Sequence, residues 1–447
     1  MSYYKEYQQK LCSPKDAVKI VKSGDMVQYN SYNGVPPALD RALAARRDEL
    51  EGVIITTSVV LYPLHTISSD PEGAHFVYNN WHASGYDRKL AQTGNYYYVP
   101  ALYHEYPNIL ANNKMIDVVM IQVGPMNEDG YMNFGPSAAH AHMIVNVAKK
   151  VIVEVNNNMP TALGGQEEAV HIHEVDIVVE GDQQDLFTIP QLHPNDIDKR
   201  IAALLMGEME DGACLQLGIG ALPNMVGELI TDSDLKDLGV HTEMLADAHV
   251  KMYEAGRITG MNKTIDRGKM VYGFAMGSQE LYDFIDQNPA CATFPVSHVN
   301  VPQIIAQNSK VVAINGAIEV DLFSQINSES SGFRHISGTG GQVDFMLGAF
   351  MSEGGKGIIC MSSTFTDREG NLLSRIRPTL SPGSIVTVPR TIAHYLVTEY
   401  GIVNLKGKST WERAEALIRI AHPRFQDDLV EEARKMNIWR NSNKLQG

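Results

Sequence analysis

Cysteine is scarce in this chain, 4 among 447 residues, and the four stand far apart. Cys12, Cys214, Cys291 and Cys360 form no CxxC or CxxxxC spacing, which excludes a zinc knuckle or a paired redox motif. Clustered positive charge is missing too. Lys and Arg number 37 against 52 Asp and Glu, a net charge of −15 with His neutral, and no basic run exceeds a couple of residues. Nucleic acid and anionic membranes are bound through clustered Lys and Arg, so neither is expected as a partner, and any anionic ligand must be held locally. No stretch approaches the ~18–20 apolar residues of a membrane span. The start, Met1-Ser-Tyr-Tyr-Lys-Glu-Tyr-Gln-Gln-Lys10, carries no apolar run. A place in the reducing cytoplasm is the expectation.

What is present is a globular composition, 44% hydrophobic and 20% charged. That is too apolar for disorder and, at roughly 100–200 residues per domain, long enough for two domains or three small ones. Short runs rich in Val and Ile alternate with helical patterns: Val53-Ile-Ile-Thr-Thr-Ser-Val-Val60, Val118-Val-Met-Ile-Gln-Val123, Val151-Ile-Val-Glu-Val155, Val311-Val-Ala-Ile314, Gly357-Ile-Ile-Cys360 and Ser384-Ile-Val-Thr-Val388. Such runs suit strands covered on both faces of a parallel sheet, and so an α/β fold.

Two pairs of segments point to an internal duplication. Ser23-Gly-Asp-Met-Val-Gln28, leading through Asn33-Gly-Val-Pro36 into a helical pattern, matches Asp211-Gly-Ala-Cys-Leu-Gln216, leading through Gly218-Ile-Gly-Ala-Leu-Pro223. Ile121-Gln-Val-Gly-Pro-Met-Asn-Glu-Asp-Gly130 is set beside Ile359-Cys-Met-Ser-Ser-Thr-Phe-Thr-Asp-Arg-Glu-Gly370, each a buried strand that ends in an acidic-Gly turn. The halves then meet in the polar stretch Gln191-Leu-His-Pro-Asn-Asp-Ile197, giving domains 1–193 and 194–447.

Chemistry-bearing residues are densest in the second half. Gly218-Ile219-Gly220-Ala221-Leu222-Pro223 is a strand opening into a glycine turn and a helix, where free N–H groups could face an anion; an ordinary strand-to-helix turn reads the same way. Pro223 stands where a dinucleotide fingerprint needs its third glycine, so a nicotinamide site is not indicated. Glu243, in His241-Thr-Glu-Met244, falls beside a strand end, where α/β proteins place their ligands. It is either a satisfied structural carboxylate or a covalent nucleophile. Asn315-Gly-Ala-Ile318-Glu-Val-Asp321 breaks a strand into a polar turn. Ser337-Gly-Thr-Gly340-Gly341-Gln-Val-Asp-Phe345 is either a bare loop or a cradle of N–H groups for an oxyanion or phosphate. The segment ending Gly407-Lys408-Ser409 has one residue too many for a P-loop, and the pairs His140/His142 and His171/His173 lack a carboxylate on the same strand face, which argues against metal.

Together these motifs, with Thr398-Glu-Tyr-Gly-Ile-Val-Asn-Leu-Lys-Gly407, resemble the acetyl-CoA hydrolase/transferase family of CoA-transferases over nearly the whole chain and in the family's motif order. The resemblance implies two similar open α/β domains of the NagB/RpiA/CoA-transferase type. It implies Glu243 as nucleophile and Gly218, Ile219, Gly220, Ala221 and Leu222 as CoA contacts. Asn315, Ile318, Gly340 and Gly341 would bind CoA and stabilise the oxyanion. No tightly bound cofactor and no metal is expected; the CoA thioester is a substrate, exchanged with a short-chain carboxylate, and the enzyme is expected to be a homo-oligomer. The implied reaction moves CoA between butyryl-CoA and acetate through a glutamyl-CoA thioester. Alternatives are 4-hydroxybutyryl or propionyl substrates, hydrolysis by the same Glu, and, as a different class, a non-catalytic ligand-binding protein. One departure is the turn Tyr29-Asn-Ser-Tyr-Asn-Gly-Val-Pro36, where some relatives have a histidine facing the acyl group.

Overall fold

The computed structural model describes residues 2–92, 94–113, 116–190 and 192–442. Met1 of the polar start, Gln191 of the expected boundary stretch and residues 443–447 lie outside the described residues. No helix among the described residues is long and apolar enough to cross a membrane.

Two sheets organise the chain. The first runs β4-β3-β2-β1-β5-β6-β7, from β1 (Met26–Tyr29), β2 (Val53–Thr57), β3 (Phe76–Asn80), β4 (Tyr97–Tyr98), β5 (Ile116–Val123), β6 (Ala148–Val155) and β7 (Ile177–Glu180), all parallel. The second runs β11-β10-β9-β8-β12-β13-β14-β15. Its strands are β8 (Cys214–Leu217), β9 (Gly239–Leu245), β10 (Met270–Ala275), β11 (Cys291–Thr293), β12 (Val311–Gly316), β13 (Lys356–Cys360), β14 (Tyr395–Thr398) and an antiparallel edge, β15 (Gly401–Asn404). Burial follows the sequence pattern: in β5 every residue but Asp117 is buried, and β10 is buried throughout. Strands sandwiched between helix layers have no polar face, which is why their sequences run continuously apolar rather than alternating.

The shared strand order bears out the duplication, and one matched pair of segments marks it in detail. Gly24 and Gly212 precede β1 and β8 with φ of 83° and 74°. The N–H of each donates at 2.9 Å to the carbonyl just before the next strand, Glu51 and Lys236 respectively. The second pair is out of step. By sheet position β5 corresponds to β12, and β13 corresponds to β6, so pairing the 121 and 359 segments matched two similar turns on non-equivalent strands. A further correction concerns Ser384-Ile-Val-Thr-Val388, which forms no strand beyond a bridge between Ile326 and Val388. There the Pro382-Gly383 turn (Gly383 φ 84°) and the Ser381 and Ser384 hydroxyls, bonded to Glu319, hold an irregular loop that overrides β propensity.

The two halves treat their first crossover helix differently. At α1 (Pro37–Ala44) the buried carboxylate of Glu154, from the end of β6, accepts the N–H of Ala38 at 3.2 Å and of Leu39 at 2.9 Å. After α2 (Asp196–Met206), the equivalent helix α3 (Ala221–Asp232) begins at Gly220 (φ 124°) with no side-chain cap. Glu154→Ala would orphan two buried donors, and we expect a loss of about 2 kcal/mol, read as a fall in Tm; an unchanged Tm would show that the carboxylate contributes nothing there.

Candidate active site

β9 lies inside the second sheet between β8 and β10. Side chains alternate along a strand, so His241 and Glu243 share a face. His241 is fully buried; burial pushes its imidazole down to about 3, and the neutral ring donates from Nε2 to the carbonyl of Val299 at 2.8 Å. The next residue, Asn300, donates from Nδ2 to Oε2 of Glu243 at 2.6 Å. The backbone N–H of Gly341 donates to the same carboxyl group.

Residues 337–341 show why the chain needs glycine there. A Cβ on Gly341 would lie 1.9 Å from Oε2 of Glu243 and 2.2 Å from Nδ2 of Asn300. Gly338 passes so close to His82 that a Cβ would sit 2.9 Å from its Nδ1, and Gly340 adopts φ 51°. Glycine is the residue that tolerates both close approach and positive φ. The loop ends at Gly341, which caps α4 (Gln342–Met351). In the first turn of α4 the buried Asp344 accepts from Nδ1 of His104 at 2.7 Å and from the His104 N–H at 3.2 Å.

Glu243 opens onto a cavity of about 440 Å3 between the two sheets' domains. Its wall is aromatic: Tyr32, Trp81, Tyr103, Tyr106 and Phe274 line it. Tyr32 stacks on Phe274 at 3.8 Å and 13°, and its hydroxyl lies 3.3 Å from that of Tyr103. Two non-glycine residues of the wall, Tyr32 and Val59, hold φ of 55° and 41°. Strain of this kind in bulky and β-branched residues collects at functional sites. In this setting burial pushes the Glu243 carboxyl up to about 7, with the charge of Asp344 adding to the rise and the Asn300 amide and Gly341 N–H opposing it. A second cavity of about 240 Å3 meets the first along Ile189, Ile219 and Met276 and is also lined by Gly220, Asn224 and Lys251.

Of the residues singled out from sequence, the structure brings Ile219, Glu243 and Gly340 onto one cavity, Gly220 onto its neighbour and Gly341 onto the carboxyl. Gly218, Ala221 and Leu222 belong to the same turn and helix start without lining either cavity. Asn315 stands one strand away, its amide bonded to Gln216 Oε1 at 2.9 Å. Ile318 lines neither; its N–H donates to Asn327 at 2.8 Å and its carbonyl accepts from Arg375 at 2.8 Å. Sequence reasoning missed Asn300, His104, His82 and the aromatic wall. The cluster of tyrosines at 96–98, 103 and 106 was the one signal for the wall; Asn300, between two valines, gives none. Among the described residues no group of three His, Cys, Asp or Glu side chains is placed to hold a metal ion.

Residues 1–190 match the family model of the acetyl-CoA hydrolase/transferase N-terminal domain, and residues 277–433 match that of the C-terminal domain. The chain is 50% identical, over 99% of its length and 100% of the relative's, to the butyryl-CoA:acetate CoA-transferase of Anaerostipes caccae. It is 38% identical, over 97% of its length and 100% of the relative's, to the 4-hydroxybutyrate coenzyme A transferase of Clostridium kluyveri. The crystal structure of RipA from Yersinia pestis superposes with a TM-score of 0.91 at 37% identity, covering 98% of this chain and 100% of that one.

Gly341→Ala puts a methyl group where the Glu243 carboxylate now lies. We expect a folded protein that has lost at least ~100-fold in any reaction Glu243 serves; near-normal turnover would mean that the loop can move away without consequence.

Proposed function

The chain belongs to the acetyl-CoA hydrolase/transferase family, and from that premise we propose that it moves CoA between butyryl-CoA and acetate in two half-reactions, through a thioester on Glu243. The observation that carries this reading is a carboxyl group lining an apolar cavity, with one amide and one backbone N–H converging on it and, among the described residues, no Lys or Arg bonded to it.

An oxygen of Glu243 attacks the thioester carbonyl, forming an acyl-glutamyl anhydride and releasing CoA thiolate. The thiolate then attacks the glutamyl carbonyl; butyrate leaves, and CoA stays bound to Glu243 as a thioester. Acetate attacks that thioester to give an acetyl-glutamyl anhydride, and the thiolate, attacking the acetyl carbonyl, yields acetyl-CoA and the free carboxylate. When thiolate or acetate adds to the glutamyl carbonyl, the oxyanion stays on a Glu243 oxygen, the carboxyl to which the Gly341 N–H and the Asn300 amide donate. Water competes with acetate, and the aromatic wall favours transfer by excluding it. Dividing the chain at 193/194 sets the nucleophile on one domain and most of that wall on the other. The uncapped start of α3 and the Lys251 ammonium, beside the adjoining cavity, suit the anionic arm of CoA.

A monocarboxylic acyl group fits this wall better than a dicarboxylic one. Among the described residues the Lys or Arg lining the cavity is Arg88, which is exposed and bonded through Nε to the Ile336 carbonyl at 2.6 Å. Burying a second carboxylate unpaired is costly, so we expect kcat/KM for succinyl-CoA to fall about 100-fold below that for butyryl-CoA, some 2.7 kcal/mol.

Initial rates with butyryl-CoA and acetate varied together should give parallel double-reciprocal lines; intersecting lines would contradict the two-step exchange. Attack requires ionised Glu243. Since burial raises that carboxyl to about 7, kcat/KM should hold above that pH and fall about tenfold per unit below it. A profile flat down to pH 5 would show a carboxyl of ordinary acidity.

A further inference from the structure

We propose that His104 is a positioning residue for the transfer: reaching over from the first domain, it offsets part of the charge of Asp344 and so lessens that carboxylate's opposition to ionisation of Glu243. The assignment rests on Glu243 as the group that must ionise to attack.

The geometry makes two carboxyl groups share one donor. Nδ2 of Asn300 lies 2.6 Å from Glu243 Oε2 and 3.5 Å from Asp344 Oδ2. Asp344 is fully buried, so water cannot screen it. Two carboxylates that share one donor oppose each other's ionisation unless a cation pairs one of them. His104 pairs Asp344, with its ring N–H on Oδ1 and its backbone N–H on Oδ2, and when protonated it supplies that cation. Asp344 in turn holds the imidazole above its ordinary range.

Among the described residues the other groups that face these side chains supply no positive charge; Arg88, a cation of the same cavity wall that acts on His82, is exposed and bonded to the Ile336 carbonyl. Around Glu243 stand the Asn300 amide, the Gly341 N–H and the hydroxyls of Tyr32 and Tyr103, which feel its charge. Beyond Gly340 lies His82, whose ring burial pushes down to about 4, so it is neutral at physiological pH. Around Asp344 stand His104 and Asn300; near His104 the further charge is Glu105. His104 keeps 24% side-chain exposure and can therefore exchange its proton with solvent. Because it sits in the turn Tyr103–Glu105 of the first domain, the compensation exists only while the two halves are apposed.

The test is the pH profile of kcat/KM for butyryl-CoA in the full-length wild type, His104→Gln, Asp344→Asn and the double variant. Glutamine keeps a donor without the charge. We expect the acidic limb of His104→Gln to move up by about one pH unit, a roughly tenfold loss below the limb that narrows at high pH. Asp344→Asn should move the limb down, and in the double variant it should return to the wild-type position or below. A role confined to packing would lower activity equally at every pH, and that result, or a shift that Asp344→Asn does not reverse, overturns the proposal. If His104→Gln does not fold, His104→Asn takes its place, and its limb must move up. A wild-type profile with no acidic limb would overturn the nucleophile role along with this one, whereas a wild-type limb that His104→Gln leaves in place overturns this proposal alone.

Discussion

The contact between the Gly341 backbone and the Glu243 carboxyl is the constraint around which the rest of this molecule is arranged. No side chain fits between them, since a Cβ would reach to 1.9 Å of Oε2. The loop must therefore be glycine, the helix behind it must start at Gln342, and Asp344 follows in that helix's first turn. The same oxygen takes a second partner, which Asn300 supplies next to the Val299 carbonyl that His241 holds. A carboxylate is a weak nucleophile in water. With an amide and a backbone N–H on it and an apolar wall beside it, it meets the physical needs of the acyl acceptor we propose.

Duplication explains how one chain makes both sides of such a site. The halves repeat a strand order and even a turn hydrogen bond, yet they have diverged at the helix start where α/β folds hold anions. In the first half Glu154 fills that position from within. In the second Gly220 leaves it without a side-chain cap, beside the smaller cavity. The first half instead contributes shape: Tyr32 and Val59, held at positive φ, and Trp81, Tyr103 and Tyr106.

Much of this was legible in the sequence. Continuous Val/Ile runs marked β2, β5, β6, β12 and β13 because strands covered on both faces need no polar side. Glu243 and Gly340-Gly341 stood out because a carboxylate in an apolar strand and consecutive glycines are each costly without a reason. The same logic failed for Ser384-Ile-Val-Thr-Val388, where side-chain bonds to Glu319 overrode local propensity, and for the second repeat, where similar turns hid different strands. Asn300, His82 and the His104–Asp344 pair could not be seen at all. Each acquires meaning only from a partner far along the chain, and no local spacing encodes that meeting.

The account stands on covalent chemistry at Glu243. Incubation with butyryl-CoA, reduction with borohydride and peptide mapping by mass spectrometry would test it directly, since borohydride converts a glutamyl thioester to an alcohol. The account predicts a mass loss confined to the peptide holding Glu243, present with substrate and absent without it. Consumption of butyryl-CoA with no modified peptide would contradict it.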